Sequence, residues 1–225
     1  MAAGNSRRFG SNKLLYQWKG KELYRYMLEA LMEAAEELEM QRRQASENGS
    51  AENGPGVAGR DFRAGKQQDA GMNCFQVRVV TQYPEILEAV EKLQEEKARP
   101  SITGIFSPES AKGLSYTIRT TLAFEEEDPP DYFAFFTADT PELTKEEIRS
   151  FLEGFLLSGH GAGCMRTGDA YGNPAVFSWK HAPFFQRLTG DQGGKKVLNQ
   201  LLSDCYFYDL PEGCRRDIDT PEDLI

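Results

Sequence analysis

The first fifteen residues, MAAGNSRRFGSNKLL, combine small side chains with positive charge in a pattern suited to binding phosphates. Small side chains leave the backbone N–H groups of residues 3–6 open to a close ligand. Arg8 and Lys13 add positive charge that suits a triphosphate. The spacing matches neither GxxxxGK[ST] nor GxGxxG, so neither the P-loop nor the dinucleotide-binding mechanism is indicated. A solvated, basic start to a helix is the alternative explanation of the same residues.

Carboxylates follow two other segments in positions suited to a divalent cation. Asp139 comes directly after the apolar run FAFFTA, and Mg²⁺ is usually bound by one or two carboxylates together with substrate phosphates. In DIDTPED, Asp217 and Asp219 alternate, so an extended backbone would point both to one face. Thr220 and Pro221 predict a helix that starts immediately after Asp219. Asp139 and Asp219 are therefore candidate metal ligands, with helix capping or a turn as the structural alternative for Asp139.

Strand-like and helical patterns alternate along the chain, which predicts an α/β domain with a mainly parallel sheet. Helical spacing of apolar residues predicts helices over GKELYRYMLEALMEAAEELEMQRRQ, over about 85–97, in ESAKGLSYTIRTTLAF after a loop, and over KKVLNQLLSD. Thr144 is a predicted N-cap, with acids in the first turn that follows. Apolar runs predict strands in CFQVRVVTQ, PSITGIFSP, DYFAFFTAD, PAVFS and CYFYDL. Ligands bind beyond the carboxyl ends of parallel strands, which is where Asp139 is expected.

Composition excludes several classes of function. The formal net charge of −9 argues against general affinity for nucleic acid or for anionic membranes. No segment approaches the roughly 20 apolar residues of a membrane span, and the polar, basic start is unlike a secretory signal. The chain is therefore expected to be soluble and cytoplasmic. Its dispersed cysteines indicate reduced thiols rather than a zinc site, and these are Cys74, Cys164, Cys205 and Cys214.

Residues 45–73 are rich in Gly, Asn, Ser and Ala and contain almost no large apolar residues. Such a segment cannot offset the entropy cost of ordering, so it is predicted to be a flexible insertion in a single domain spanning 1–225.

Six segments in order along nearly the whole chain resemble the nucleotidyltransferases that act on the molybdenum cofactor. MAAGNSRRFGSNKLL is similar to their nucleotide-binding signature, and KGLSYTIRTTL to their Gly-Leu-Ser-Ser-x-Leu-Arg segment. ADTPELT resembles their Asp-x-Pro-x-Leu-Thr segment, and DIDTPEDL their closing motif. GNPAVFS and LTGDQGGKKVL are similar to their Gly-x-Pro and Gly-Asp-x-Gly stretches. Ala-Ala-Gly together with Gly-Asp-x-Gly-Gly most resembles the cytidylyltransferase branch, since guanylyltransferases usually show Ala-Gly-Gly followed by Asp-Lys.

The resemblance implies a three-layer, Rossmann-like nucleotidyltransferase fold of the GT-A-like type. It implies a Mg²⁺-dependent reaction of CTP with the molybdenum cofactor (molybdopterin) that yields the cytosine dinucleotide form and pyrophosphate. The product would serve a molybdenum hydroxylase, whose apoenzyme is a possible partner. No protein nucleophile is required, which suits a chain with only two histidines.

The resemblance also assigns roles to residues by position. The implied nucleotide-binding residues are Ala2, Ala3, Gly4, Ser6, Arg8, Lys13, Gly113 and Ser115. The implied residues on the acceptor side are Gly172, Asn173, Pro174, Asp191 and Gly193. Asp139 and Asp219 would hold Mg²⁺, and the implied catalytic residues are Arg8, Lys13 and Asp139.

Two departures from the family pattern leave other functions open. Tyr116 stands where the family commonly has a second serine, and Thr140 stands beside the implied metal ligand where Gln is frequent. One alternative is a nucleotidyltransferase that uses another nucleotide or a sugar-phosphate or alcohol-phosphate acceptor. Another is a non-catalytic protein that binds and delivers the cofactor.

In the family architecture, the opening loop follows a central, buried strand. We therefore expect Met1 to be the last hydrophobic residue of that strand. About five to eight apolar, β-branched residues would then be encoded upstream, because β-branched residues favour strands.

Overall fold

The computed structural model describes residues 1–3, 9, 12–48, 74–95, 101–123, 129–211, 218, 220 and 223. Gly4, Ser6, Arg8, Asp217 and Asp219 lie outside the described residues, so the predictions made for them remain predictions. The predicted insertion 45–73 begins inside the first long helix, which continues to Asn48, and its remainder is also outside the described residues.

Strands and helices alternate over most of the chain. The strands are β1 (Gln17–Trp18), β2 (Lys21–Glu22), β3 (Gln76–Thr81), β4 (Ser101–Phe106), β5 (Tyr132–Phe135), β6 (Ala162–Thr167), β7 (Ala170–Ser178) and β8 (Cys205–Asp209). The helices are α1 (Leu23–Asn48), α2 (Pro84–Glu95), α3 (Leu114–Ala123), α4 (Lys145–Ser158), α5 (Ala182–Phe185) and α6 (Gly194–Leu198). Thr144 is the predicted N-cap of α4 and forms a capping box with Glu147, so that prediction is confirmed.

The α/β fold class is confirmed, but the sheet is mixed rather than mainly parallel. β3 pairs in parallel with β4, and β6 in parallel with β8, whereas β7 is antiparallel to both β5 and β6 in the order β5-β7-β6-β8. Only Gly168 and Asp169 connect β6 to β7, and so short a connection can join only antiparallel strands. The sequence analysis did not predict β6, because the Ala and Gly of AGCMRT have low strand propensity.

Residues 1–3 lie between β3 and the segment that follows β5. The Ala2 N–H donates to the Val80 carbonyl at 2.9 Å. Met1 N donates to the Phe136 carbonyl at 2.6 Å, and the Ala138 N–H donates back to the Met1 carbonyl at 3.1 Å. This alternation is the pattern of a parallel ladder, so residues 1–3 connect the β3–β4 pair to the four-stranded sheet. The continuation of this strand upstream of Met1 stays a prediction.

Helices cover both faces of the four-stranded sheet, as a three-layer fold requires. Val176 packs with α1 and α4 in one apolar cluster, while its neighbour Phe177 packs with α3, α5 and α6 in another. Neighbouring residues of a strand point to opposite faces, so the two clusters are the two interfaces between layers. A third apolar cluster joins α1 and α2 to Val77 and Val79 of β3.

The helix predicted over KKVLNQLLSD is wrong in length. Only Gly194–Leu198 is α-helical, and the chain continues through tight turns in which Gln200 and Leu201 donate to carbonyls three residues earlier. Leu201 packs against the apolar cluster that contains Phe177, but Leu202 is exposed, and Leu202–Asp204 form a 3-10 turn before β8 instead of continuing the α-helix.

Candidate active site

Lys13, Asp139 and Ile218 meet where the chain leaves β5. Lys13 lies in a 3-10 turn, Lys13–Leu15, in which the Asn12 side chain accepts from the Leu14 N–H at 3.1 Å. Its Nζ donates to Asp139 Oδ2 at 2.8 Å and to the Ile218 carbonyl at 2.6 Å. The Ile218 N–H in turn donates to the Asp139 carbonyl at 3.0 Å. These hydrogen bonds hold three segments that are distant in sequence together around the ammonium group of Lys13.

Only one of the two oxygens of the Asp139 carboxylate accepts a hydrogen bond from the described residues, which leaves the other able to bind a cation. Its Oδ2 accepts from Lys13, whereas its buried Oδ1 accepts no hydrogen bond from any residue that the structure describes. Buried polar atoms are nearly always partnered, so an unpartnered carboxylate oxygen points to a ligand. Oxygen is the donor that Mg²⁺ and Mn²⁺ prefer, and Asp139 therefore fits a divalent cation. Within the described parts of the chain, no three His, Cys, Asp or Glu side chains cluster in a way that could hold a metal ion.

Thr140 is buried next to Asp139, and its hydroxyl donates to the Thr137 carbonyl at 3.1 Å. The side chain thus closes the turn that presents Asp139. Thr140, which stands where the family frequently has Gln, therefore has a hydrogen-bond partner within its own turn.

A second group of predicted residues meets at the start of α3. The Ser115 N–H donates to the Gly190 carbonyl at 3.0 Å. Gly113 has a φ of +135°, and a Cβ added there would lie 2.5 Å from the Gly190 oxygen and 2.9 Å from Asp191 Oδ1. Only glycine fits this backbone and this approach. The segments predicted to bind the nucleotide and the acceptor are therefore in direct contact.

Ser115 itself is fully buried, and its Oγ has no hydrogen-bond partner among the described residues. The neighbouring Tyr116 is partly exposed, and the guanidinium of Arg119 lies 4.5 Å from the centre of its ring. Tyr116 is the second departure from the family pattern: its aromatic ring, stacked with Arg119, stands where the family commonly has a serine.

Asn173 and Pro174 form an irregularity in β7. Cys164 of β6 pairs with Ala175, but the next residue, Met165, pairs with Gly172, so Asn173 and Pro174 are extra residues in the ladder. A bulge accommodates a proline that cannot donate a ladder hydrogen bond, and bulges are frequent beside active sites. The predicted strand PAVFS is therefore longer than expected, and it begins at Ala170.

Two further residues that sequence reasoning missed hold residues 1–3 in place. Thr81 Oγ1 donates to the Ala2 carbonyl at 2.8 Å, and Gln82 Nε2 donates to the Ala3 carbonyl at 2.7 Å. Both residues are polar and follow the apolar run of β3, which is the same signal that identified Asp139 after FAFFTA. Applying that rule to every strand would have found them.

No helix in the described parts of the chain is both long and apolar enough to cross a membrane.

Known structures share this fold across almost the whole chain. Rv0371c from Mycobacterium tuberculosis H37Rv superposes with a TM-score of 0.61 at 17% identity, covering 99% of this chain and 92% of that one. A second structure of Rv0371c, in complex with manganese, gives 0.59 at 15% identity, with 98% and 91% covered. Molybdopterin-guanine dinucleotide biosynthesis protein A from Archaeoglobus fulgidus superposes with a TM-score of 0.59 at 16% identity, covering 99% of this chain and 92% of that one. CMP:2-keto-3-deoxy-manno-octonic acid synthetase complexed with CTP superposes with a TM-score of 0.55 at 11% identity, covering 95% of this chain and 88% of that one.

A comparison with curated proteins yields no significant match. The model of one protein family, however, the MobA-like NTP transferase domain, matches residues 1–205. This match covers most of the chain, and the described site at the carboxyl edge of the sheet is consistent with it. The protein belongs to the family of MobA-like NTP transferase domains and is a nucleotidyltransferase.

Proposed function

We propose that the protein transfers a cytidylyl group from CTP to the phosphate of the molybdenum cofactor and releases pyrophosphate. The observation that carries the proposal is the meeting of Lys13 with the partly unpartnered Asp139 carboxylate beside residues 1–3. The choice of CTP and of the molybdenum cofactor rests on the Ala-Ala-Gly and Gly-Asp-x-Gly-Gly segments. Likeness of fold to a molybdopterin-guanine dinucleotide biosynthesis protein is consistent with the choice of cofactor, and likeness of fold to a CTP-bound synthetase is consistent with the choice of CTP.

On the nucleotide side, this chain contributes positive charge and backbone donors. Lys13, together with Arg8 in the opening loop, neutralises charge that develops on the leaving pyrophosphate. The backbone around Ala3, Gly4 and Ser6 would approach the phosphates closely because the side chains are small, whereas the Ala2 N–H already donates to the Val80 carbonyl. Asp139, with Asp219 as the second ligand, would hold Mg²⁺, which when bound supplies Lewis-acid stabilisation and a template for the phosphates.

On the acceptor side, the protein orients a phosphate rather than supplying a nucleophile. An oxygen of the acceptor phosphate attacks the α-phosphorus of CTP, and the bond from that phosphorus to the bridging oxygen breaks as pyrophosphate leaves. Asp191 and Gly193, with the bulge of β7, would position the acceptor, and the Ser115–Gly190 hydrogen bond keeps the two substrate sides in register. Placing the reactants in line is a large part of catalysis in reactions of this type.

Pyrophosphate release with purified molybdenum cofactor and Mg²⁺ tests the proposal, with CTP, GTP, ATP and UTP compared in parallel. We expect CTP to be preferred and Asp139→Ala to reduce turnover by about 100-fold or more, the scale reported for losing one electrostatic contact to the transition state. Asp131→Ala is a matched control, because Asp131 is exposed and precedes β5 at the opposite end of the strand from Asp139. Undiminished activity in Asp139→Ala would overturn the site, and preference for another nucleotide would overturn the base assignment.

A second candidate is cytidylyl transfer to a sugar phosphate or a related alcohol phosphate. Tyr116 leaves this candidate open, because a ring stacked with Arg119 stands where the cofactor enzymes commonly have a serine. Offering sugar phosphates in place of the cofactor in the same assay separates the two. The product of the proposed cytidylyl transfer to the molybdenum cofactor would serve a molybdenum hydroxylase. We propose that this protein is located in the cytoplasm.

A further inference from the structure

Lys13 occupies one oxygen of the Asp139 carboxylate and the Ile218 carbonyl, so a divalent cation bound through both carboxylate oxygens would share Oδ2 with the lysine. Its Nζ donates to Asp139 Oδ2 at 2.8 Å and to the Ile218 carbonyl at 2.6 Å. A carboxylate oxygen and a backbone carbonyl oxygen are both ordinary ligands of hard divalent cations. The side chains of Lys13 and Asp139 are only 8% and 23% exposed, so water screens little of the interaction between charges at this point.

An ammonium group and a divalent cation exclude one another at these oxygens. Mg²⁺ binds oxygen at about 2.0–2.1 Å, so a cation shared by the same two oxygens would lie within bonding distance of the place that Nζ occupies. Two positive charges that close in a poorly solvated site repel strongly.

We infer that Lys13 acts as a placeholder cation at Asp139, which a divalent cation replaces when a triphosphate draws the lysine away. This inference rests on the proposed function, in which Asp139 binds the metal and Lys13 the triphosphate. Lys13 has a flexible four-carbon stem and binds phosphate as a point charge, so a nucleotide offers it a second set of oxygens. Metal and nucleotide then bind cooperatively, and each raises the affinity for the other by the same factor.

A lysine with a purely structural role makes the opposite prediction. If Lys13 only fastened the turn that carries Asp139, its removal would loosen the carboxylate and weaken metal binding. If it occupies the cation position, its removal strengthens the binding of metal in the absence of nucleotide, because the competing cation is gone.

Mn²⁺ binding to the nucleotide-free protein, followed by the electron paramagnetic resonance signal of the free ion, distinguishes these roles. We expect Lys13→Met to bind Mn²⁺ about tenfold more tightly than the wild type, within the usual range of coupling between sites. Lys19→Met removes the same charge from an exposed side chain six positions further along the chain and should leave the affinity unchanged. Equal or weaker binding by Lys13→Met would overturn the inference.

Asp139→Asn separates failure of this inference from failure of the proposed function. Loss of Mn²⁺ binding in Asp139→Asn, without a gain in Lys13→Met, would refute the placeholder role and leave Asp139 as the metal ligand. Mn²⁺ binding that does not depend on Asp139 in either background would refute the metal site itself.

A measurement on the wild-type protein covers the case in which Lys13→Met does not fold. Mn²⁺ added without nucleotide should displace Lys13 and increase its labelling by an amine-acylating reagent, quantified by peptide mapping against Lys19. Labelling of Lys13 that does not rise with Mn²⁺, at concentrations that saturate the site, contradicts the placeholder role.

Discussion

The two groups of predicted site residues are held together by contacts of different physical character. Lys13, Asp139 and Ile218 are joined by an ion pair and charged hydrogen bonds, whereas Gly113, Ser115 and the 190–191 loop are joined by backbone contact. Coulomb energy changes slowly with distance, so the first contact can exchange partners and still function. The second depends on a glycine in a conformation and at a distance that no other residue fits. Charge suits the part of the site that must rearrange around phosphates, and close packing suits the part that must keep two substrates aligned.

Gly113→Ala should break the packed contact and give the largest effect on stability. Its Cβ would lie 2.5 Å from the Gly190 oxygen on a backbone with φ of +135°, and we expect a loss of about 3 kcal/mol in the free energy of unfolding. Urea denaturation measures this value. Gly168→Ala is the control, since Gly168 also has a positive φ of 55° but nothing lies within 4 Å of the added atom. Equal losses for both variants would show that the close contact with Gly190 is unimportant.

A double-mutant cycle on Lys13 and Asp139 should give the next largest effect. Each single change removes one side of a partly buried ion pair, so Lys13→Met and Asp139→Asn should each cost about 2 kcal/mol in unfolding free energy. The double variant should lose less than the sum of the two, with a coupling free energy of about 1–2 kcal/mol. Denaturant titrations without divalent metal provide the four values, and simple additivity would refute a stabilising ion pair.

Asp191→Asn tests whether the packed side serves the acceptor alone. The Asp191 carboxylate lies beside Gly113. We expect Asp191→Asn to raise the KM for the acceptor phosphate about tenfold, which corresponds to about 1.4 kcal/mol. The KM for CTP should not change. Steady-state kinetics with each substrate varied in turn measures both constants, and Asp169→Asn, exposed in the β6–β7 turn, is the control. A matching rise in the KM for CTP would mean that the two sides are not distinct.

Ser115→Ala should have the smallest effect on the fold. The buried Oγ has no hydrogen-bond partner among the described residues, so its removal should change the unfolding free energy by less than about 0.5 kcal/mol. A loss of activity in a variant of unchanged stability would then indicate that the hydroxyl contacts substrate. A loss of stability near 2 kcal/mol would instead reveal a hydrogen bond within the protein.

Local patterns predicted most of the elements correctly because their causes are local. Apolar spacing identified α1 and α2, and Thr144 followed by acids in the first turn identified the start of α4. β6 was missed and α6 was predicted too long. In both segments the backbone conformation depends on distant partners: β6 lies between β7 and β8, and the residues after Leu198 must enter β8.

By itself the sequence determined the family, the alternation of strands and helices, and the residue types at the site, since each of these depends on composition and spacing along the chain. Only the tertiary structure decided that the sheet is mixed and that residues 1–3 connect its two parts. It also decided that Lys13 meets Asp139 across 126 positions of sequence, and that Gly113 rests on the Gly190 carbonyl. These contacts join segments that are far apart in the chain. No local propensity encodes such distances, which are set by strand order and by the packing of layers against one another.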